Sequence, residues 1–357
     1  MAERFWLLAD IGGTNVRLAL MPSGDQAFAH ALLTSAGPMP SERNFLWAET
    51  AELSLAIDTL LAELGVSHDV IDGAVIAVAG PVVPGADLFS FTNVARQFRI
   101  SALKKHLGTD HVYVINDYHA QAMVIPLVRD MPDRLSTIYD APGNPHGALG
   151  VLGAGTGLGV AALYPPGTNM LVKPNATLVV PGEGGHVALG AKVPSVQALV
   201  PHLQQAVVQF RIDRQDADQS ATLRYEDVLS GPGLQCVYGA LGLRDVGVAH
   251  WLSPAEIAQQ AHQGNNARAV ETFDLYFDTL AQACSDVAFQ YLATGGIFIT
   301  GGITQKNLRL LDQERFADVF TQSWQAQDLL RRIPVHVVTS EASGLSGAAV
   351  FAMSVSA

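Results

Sequence analysis

The chain has 357 residues, of which 49% are apolar and 15% charged, with a formal net charge of -12. That composition excludes a disordered chain, and the length predicts two lobes rather than one small core. The negative balance opposes a phosphate backbone, so no nucleic-acid partner is expected, and any nucleotide site must rest on local backbone donors and a metal.

In chain order, Phe5–Ala9 reads as a buried strand, residues 10–15 as turn chemistry and Val16–Met21 as a second strand. Leu53, Ile57, Leu60, Leu61 and Leu64 recur at helical spacing, with Gly65 as the stop. A strand over Gly73–Ala79, a short helix near Leu103–Leu107 and a strand over Val112–Ile115 follow, and a helix begins at Asn116-Asp117. Residues 132–147 are rich in Pro, Gly and Asp and read as an excursion or linker. The opening pattern then returns, with an apolar run from Ala148 to Leu152, glycine turn chemistry over 153–157 and a further apolar run from Leu158 to Tyr164. Farther on, Ser253–Glu256 has capping-box form, Ala267–Leu292 reads as a long helix, Gly296–Thr300 as a late strand and Gly344–Met353 as a small-residue helix. Two strand–turn–strand units predict a duplicated α/β architecture with ligands held between lobes.

Cys236 and Cys284 have no CxxC partner and are expected to be buried in a reducing compartment. Phe5–Ala9, cut short by Asp10, is not a signal peptide, and no apolar run reaches the roughly 18 residues a membrane span needs. A cytoplasmic protein is the expectation.

The segment 153–159, GAGTGLG, could pass for a dinucleotide fingerprint, but the Val160–Pro166 stretch is too short and proline-bound for the required helix. No Gly-Lys-Ser/Thr follows, so a Walker loop is excluded. The alternative is a hairpin whose glycines bring N–H groups to phosphate oxygens, with the Thr156 hydroxyl added. The segment 10–17, DIGGTNVR, has the same form plus a carboxylate, and Asp10 there suits Mg²⁺. Each turn alone is equally consistent with a plain tight turn. A third glycine segment, 295–302, precedes a helix and can approach a nucleoside closely.

Together these three segments resemble the phosphate-1, phosphate-2 and adenosine motifs of the sugar kinase, actin and heat-shock chaperone superfamily. Ile115-Asn116-Asp117, the 181–186 segment PGEGGH and the 226–233 segment EDVLSGPG narrow the resemblance to the bacterial glucokinase family. The resemblance runs in order along nearly the whole chain. It implies a two-lobed, duplicated actin-like ATPase (ribonuclease H-like) fold, with mixed sheets flanked by helices and an interlobe cleft. The lobes are expected at 1–127 plus 340–357 and at 128–339. The implied activity is phosphorylation of glucose at O6 by MgATP, with ATP and Mg²⁺ as cofactors and glucose as partner. Relatives are often dimers, so a homodimer is the expected assembly.

Under that resemblance Asp117 is the general base, and Asn93, Asn116, Glu183, His186 and Glu226 hold the sugar. Gly12, Gly13, Thr14, Asn15, Gly155, Thr156, Gly157, Gly301 and Gly302 contact the nucleotide, and Asp10 is the metal-side carboxylate. Blander readings stand beside these. Asp117 reads equally as a helix cap, Glu183 with His186 as part of a zinc site, Glu226 as a helix-start residue and Asn93 as a turn asparagine. The glycines beside Glu183 and His186 fit a loop pressed close to a ligand. Two departures from the family pattern stand out: Arg96 where an aromatic residue is usual, and a long 190–224 segment. The rivals are a kinase of another hexose, an ATP-switched scaffold or chaperone, and a nicotinamide oxidoreductase.

Overall fold

A computed structural model of the chain describes residues 3–12, 15–35, 38–47, 52–90, 96–168, 177–322, 326–339 and 344–356. Its residues fall into two compact units, Met1–Pro132 with Ser340–Ala357, and Asp133–Thr339. The division comes after Pro132 rather than after Leu127, because the helix beginning at Asp117 runs on to Arg129 through Pro126.

The first unit holds strands β1 (Phe5–Ile11), β2 (Asn15–Pro22), β3 (Glu42–Leu46), β4 (Ile71–Val78), β5 (Leu88–Ser90), β6 (Gln97–Arg99) and β7 (Val112–Asn116). Five form one sheet in the order β3-β2-β1-β4-β7, antiparallel through β3, β2 and β1 and parallel through β1, β4 and β7. Strand residues alternate between faces, and β1 shows the consequence. Leu7, Ala9 and Ile11 join the core beneath helices Leu53–Leu64 and Ile100–Leu107, while Trp6 and Leu8 join a second core with Ala120, Leu345, Ala348 and Ala349. By the same alternation Asp10 falls on the second face, the one the C-terminal helix Gly344–Ser356 covers. That helix packs on the first unit as its small residues predicted, and a methyl at Gly347 would collide with the Ala120 carbonyl.

The second unit holds β8 (Leu135–Tyr139), β9 (Leu149–Ala154), β10 (Leu158–Tyr164), β11 (Leu178–Gly182), β12 (Gly296–Thr300) and β13 (Val335–Val338). Its sheet runs β11-β10-β9-β12-β13-β8. From β11 to β13 it repeats the order and polarity of the first sheet, two antiparallel pairings followed by two parallel ones. The helices Pro194–Asp213, Gly231–Val246, Pro254–Gln263 and Ala267–Tyr291 contribute to its single large core. Ser253 and Glu256 form the expected capping box, and both cysteines are free and buried.

Two expectations need correction. Residues 132–147 are not a bare linker, because Leu135–Tyr139 pairs antiparallel with β13 as an edge strand. Its hydroxyl-bearing centre, Ser136-Thr137, is tolerable only because an edge strand is incompletely covered. Asp10 is also not in a turn, since β1 continues through Asp10 to Ile11 and pairs it with Arg17 on β2.

Candidate active site

Strands β1, β4 and β7 are parallel, so their carboxyl ends share one edge of the first sheet, where α/β proteins commonly place ligands. Asp10 pairs with Ala77, and Ala77 with Ile115. Two inter-strand spacings put Asp10 about 10 Å from Ile115, with Asn116 and Asp117 next along the chain.

The local chemistry at this edge separates the two neighbours. Asn116 is buried and caps the helix, its Oδ1 accepting from the N–H groups of Tyr118 (2.9 Å) and His119 (3.2 Å). Its Nδ2 donates to the Gly80 carbonyl at 3.0 Å. Asn116, not Asp117, is therefore the cap. Asp117 is half-buried in the first turn, where Oδ1 accepts from the Tyr118 N–H at 2.9 Å and the helix dipole favours its charge.

Asp10 is held differently. Burial pushes its carboxyl pKa up, opposed by the Arg17 guanidinium and by a hydrogen bond from the Gly344 N–H, with Glu42 adding a smaller upward push. A methyl at Gly344 would lie 2.5 Å from Asp10 Oδ1 and 2.6 Å from Cγ, so only glycine lets the C-terminal helix begin there. The turn after β1 is braced by Gly12, whose N–H donates to the Asn15 carbonyl (3.0 Å) and whose carbonyl accepts from Trp47 Nε1 (3.0 Å). Arg96 lies over the Trp47 ring, 6.0 Å from its centroid, and donates to the Trp47 carbonyl. This departure from the family pattern thus supports the turn through Trp47. Gly13, Thr14 and Asn93 lie outside the described residues, and Asn15 is half-buried at the start of β2.

In the second unit, strand β10 rather than a helix follows the glycine turn, which removes the dinucleotide-fold reading. The Gly155 N–H donates to the Gly157 carbonyl (2.9 Å), and the Gly155 carbonyl accepts from the Gly231 N–H (2.8 Å). Gly155 and Thr156 are exposed at the tip. A Cβ at Gly153 would lie 2.5 Å from the Thr300 carbonyl, and one at Gly301, where φ is +89°, would lie 2.5 Å from the Ala154 carbonyl. These glycines let β9 and β12 end side by side, bringing the 155–157 turn next to Gly301 and Gly302.

Glu183, His186 and Glu226 converge in the same unit. His186 Nδ1 is 2.9 Å from Glu226 Oε1, and its Nε2 is 3.8 Å from Glu183 Oε2. Glu226 also neighbours the turn, since a Cβ on Gly157 would sit 3.2 Å from its Oε2. Glu226 belongs to a short 3-10 turn, Tyr225–Asp227, whose supports the sequence did not reveal. Ser230 donates to the Glu226 carbonyl (2.6 Å) and caps the next helix, while buried Asp227 pairs with Arg211 at 2.8 Å. Arg211 lies on helix Pro194–Asp213, so the long 190–224 segment buttresses this turn. Behind it, the Tyr225 hydroxyl is bonded to Asp286 and Gln282. Gly184 and Gly185 are explained by Val160 and the Leu158 carbonyl of β10, against which a side chain would clash. Their close approach is to the sheet, a correction to the ligand-facing reading. No third metal ligand joins Glu183 and His186 among the described residues apart from Glu226, and no three-ligand cluster is found there.

Residues 7–355 match the family model for glucokinase. A curated relative, the glucokinase of Chelativorans sp. (strain BNC1), is 32% identical over 348 residues, covering 97% of this chain and 90% of its own. Among solved structures, a glucokinase from an Antarctic psychrotroph superposes with a TM-score of 0.77 at 28% identity, covering 98% of this chain and 99% of its own. The Balamuthia mandrillaris glucokinase in complex with glucose gives 0.74 at 21%, with 99% and 94% coverage. More distant is a ROK family glucokinase from Streptomyces griseus in complex with glucose and AMPPNP, at 0.53 and 18%, covering 98% of each chain. A family match over nearly the whole chain, with relatives above 30% identity aligned end to end, makes this chain a member of the glucokinase family, sugar kinases that phosphorylate glucose.

Proposed function

We propose that the chain transfers the γ-phosphoryl group of MgATP to O6 of D-glucose, with Asp117 as general base. The observation that carries this reading is the division of labour at the end of β7. Asn116 Oδ1 accepts from both the Tyr118 and His119 N–H groups as the cap, and Asp117 follows it in the first turn, where its Oδ1 accepts from the Tyr118 N–H. In phosphoryl transfer the transition state is loose, and a base mainly orients the attacking hydroxyl and takes its proton late. Asp117, beside the carboxyl ends of three parallel strands, suits that task.

Glu183, His186 and Glu226 supply two carboxylates and an imidazole, a donor and acceptor set dense enough for a polyol. Asn116 has committed its Oδ1 to the cap, so any sugar contact of that side chain would use Nδ2. The Gly155–Gly157 turn, with Thr156 at its tip, and the adjoining Gly301-Gly302 fit nucleotide phosphates and nucleoside. By sequence, Gly12, Gly13, Thr14 and Asn15 are the corresponding motif after Asp10, and we assign them to the nucleotide phosphates as well. The AMPPNP and glucose carried by the Streptomyces griseus glucokinase support ATP and glucose as the two substrates here.

Mg²⁺ fits the donor set at Asp10, because Mg²⁺ takes one or two carboxylates plus water. Burial raises the pKa of this carboxyl, and a nearby divalent cation would keep it ionised. When bound with ATP, Mg²⁺ would neutralise charge on the phosphates. The repeated strand order of the two sheets supports the duplicated, actin-like and ribonuclease H-like fold. A cytoplasmic enzyme of glycolysis, assembled as a homodimer, is the setting this reading implies.

A coupled ADP-release assay on Asp117→Ala and Asp117→Asn tests the proposal. The expected loss in kcat is about 10²–10⁴-fold, with glucose KM and thermal unfolding little changed. Turnover near wild type in a folded variant would remove Asp117 from the role of base. The same assay over a hexose panel tests glucose against mannose, fructose and N-acetylhexosamines.

A further inference from the structure

On the first unit, three side chains from three elements meet at one carboxylate oxygen. Asp58 stands on helix Leu53–Leu64, His68 on the 3-10 turn His68–Val70, and His106 in the last turn of helix Ile100–Leu107. Asp58 Oδ1 is 3.0 Å from His68 Nε2 and 2.8 Å from His106 Nε2. The two imidazoles lie edge to face with centroids 5.1 Å apart. All three side chains remain partly open to solvent, between 29% and 42% exposed. None of them has a part in the phosphoryl-transfer reading.

The three ligand atoms lie within 4.8 Å of one another. A tetrahedral zinc ion, with Zn–N of about 2.0–2.1 Å and Zn–O of about 2.0–2.2 Å, holds its ligand atoms roughly 3.3–3.5 Å apart. Opening the two Asp58 contacts by about half an ångström, with the two imidazole nitrogens brought to the same spacing, admits the ion. Without metal, each Nε2 must carry a proton to donate to Asp58. With metal, both rings adopt the Nδ1–H tautomer and present a lone pair, the ordinary ligand form of histidine. The backbone holding these side chains is already fixed. Leu53, Ile57 and Leu60 of one helix and Leu103 and Leu107 of the other share one core, so little ordering opposes binding. Two imidazoles with one carboxylate favour zinc, copper or nickel over the hard cations Mg²⁺ and Ca²⁺.

We propose that Asp58, His68 and His106 form a binding site for a divalent transition-metal ion of the zinc class, with a fourth position open to water. The site links helix Leu53–Leu64 to helix Ile100–Leu107, so occupancy should also raise the unfolding temperature.

The test uses the full chain without nucleotide. Zn²⁺ titration is read by calorimetry, and Co²⁺ substitution by its visible d–d bands, which are intense only in tetrahedral sites. The expected result is one Zn²⁺ per chain, tetrahedral Co²⁺ bands and a higher Tm. His68→Gln, His106→Gln and Asp58→Asn should each weaken binding at least about tenfold, and the double histidine variant should lose the bands. Binding absent from the wild-type chain, or unchanged in the variants, overturns the proposal. If His106→Gln fails to fold, His68→Gln on its exposed turn carries the same test.

Discussion

Replacing Gly344 with alanine should disable the enzyme through Asp10 while leaving the fold largely intact. The new methyl would lie 2.5 Å from Asp10 Oδ1, whereas ordinary Cβ contacts begin near 3.4 Å. Asp10 is paired on both sides, with Arg17 on β2 and Ala77 on β4, so the carboxylate rather than the backbone must withdraw, by roughly 0.9 Å on those two distances. Misplacing a positioned group by about 1 Å costs on the order of 10²-fold in rate. Stability should respond weakly. Overpacking costs about 1–3 kcal/mol, and Gly→Ala in a helix returns up to about 1 kcal/mol. The assay is coupled ADP release at varied Mg²⁺, beside a thermal melt. The expectation is a kcat lower by about two orders of magnitude and a higher Mg²⁺ requirement, with Tm down by only a few degrees. Wild-type turnover with an unchanged Mg²⁺ dependence would show that Asp10 does not need its present position, and the metal-side assignment would fall with it.

Gly347→Ala, one turn along the same helix, should behave oppositely. Its methyl meets the Ala120 carbonyl rather than Asp10, so unfolding free energy should drop by about 3 kcal/mol, while the Mg²⁺ dependence of the remaining folded enzyme stays put. His186→Ala and Glu226→Ala each remove the 2.9 Å contact between these side chains, and steady-state kinetics should show glucose KM rising about tenfold or more, for the loss of roughly 1.5–3 kcal/mol of charged hydrogen bonding, with ATP KM little changed. For His119, burial lowers the pKa from the ordinary 6.5 to about 4, so the unfolded chain binds the extra proton first. Stability from this group is full above pH 6.5 and falls as pH drops toward 4, by up to about 3 kcal/mol. Urea titrations of wild type and His119→Gln between pH 4.5 and 7 should diverge with that sign, and parallel curves would contradict it.

The elements most legible in the sequence were those whose residues argue locally. Leu53–Leu64 declares itself by spacing and by Gly65, which takes the left-handed φ of 66° that ends the helix. The glycine hairpins were legible for the same reason, and so was the capping box at Ser253. What stayed hidden depends on partners distant in the chain. Nothing near Asp10 announces Gly344, more than three hundred positions away, yet that glycine and the alternation of β1 together fix where the carboxylate lies. Strand β8 was obscured by its polar centre and its Pro-rich flanks, and its existence depends on β13 being there to pair with it.

Glycine itself shows where sequence reasoning reaches its limit. A glycine in a motif signals that something comes close to the backbone, and that inference held at 153, 184, 185 and 301, while Gly344, outside those motifs, is as tightly approached. It does not say what comes close. At 184 and 185 the neighbour is β10, at 153 and 301 it is the paired strand ends of the second sheet, and at 344 it is the carboxylate assigned to the metal side. A substitution at each position therefore fails for a different reason. At 184 or 185 alanine should first disturb packing on β10, and only through it the Glu183–His186 turn. At 344 it should reach the chemistry directly. Comparing thermal unfolding with kcat across those variants separates glycines that build the sheet from the one that positions the carboxylate assigned to the metal side, a distinction that the motif pattern alone cannot draw.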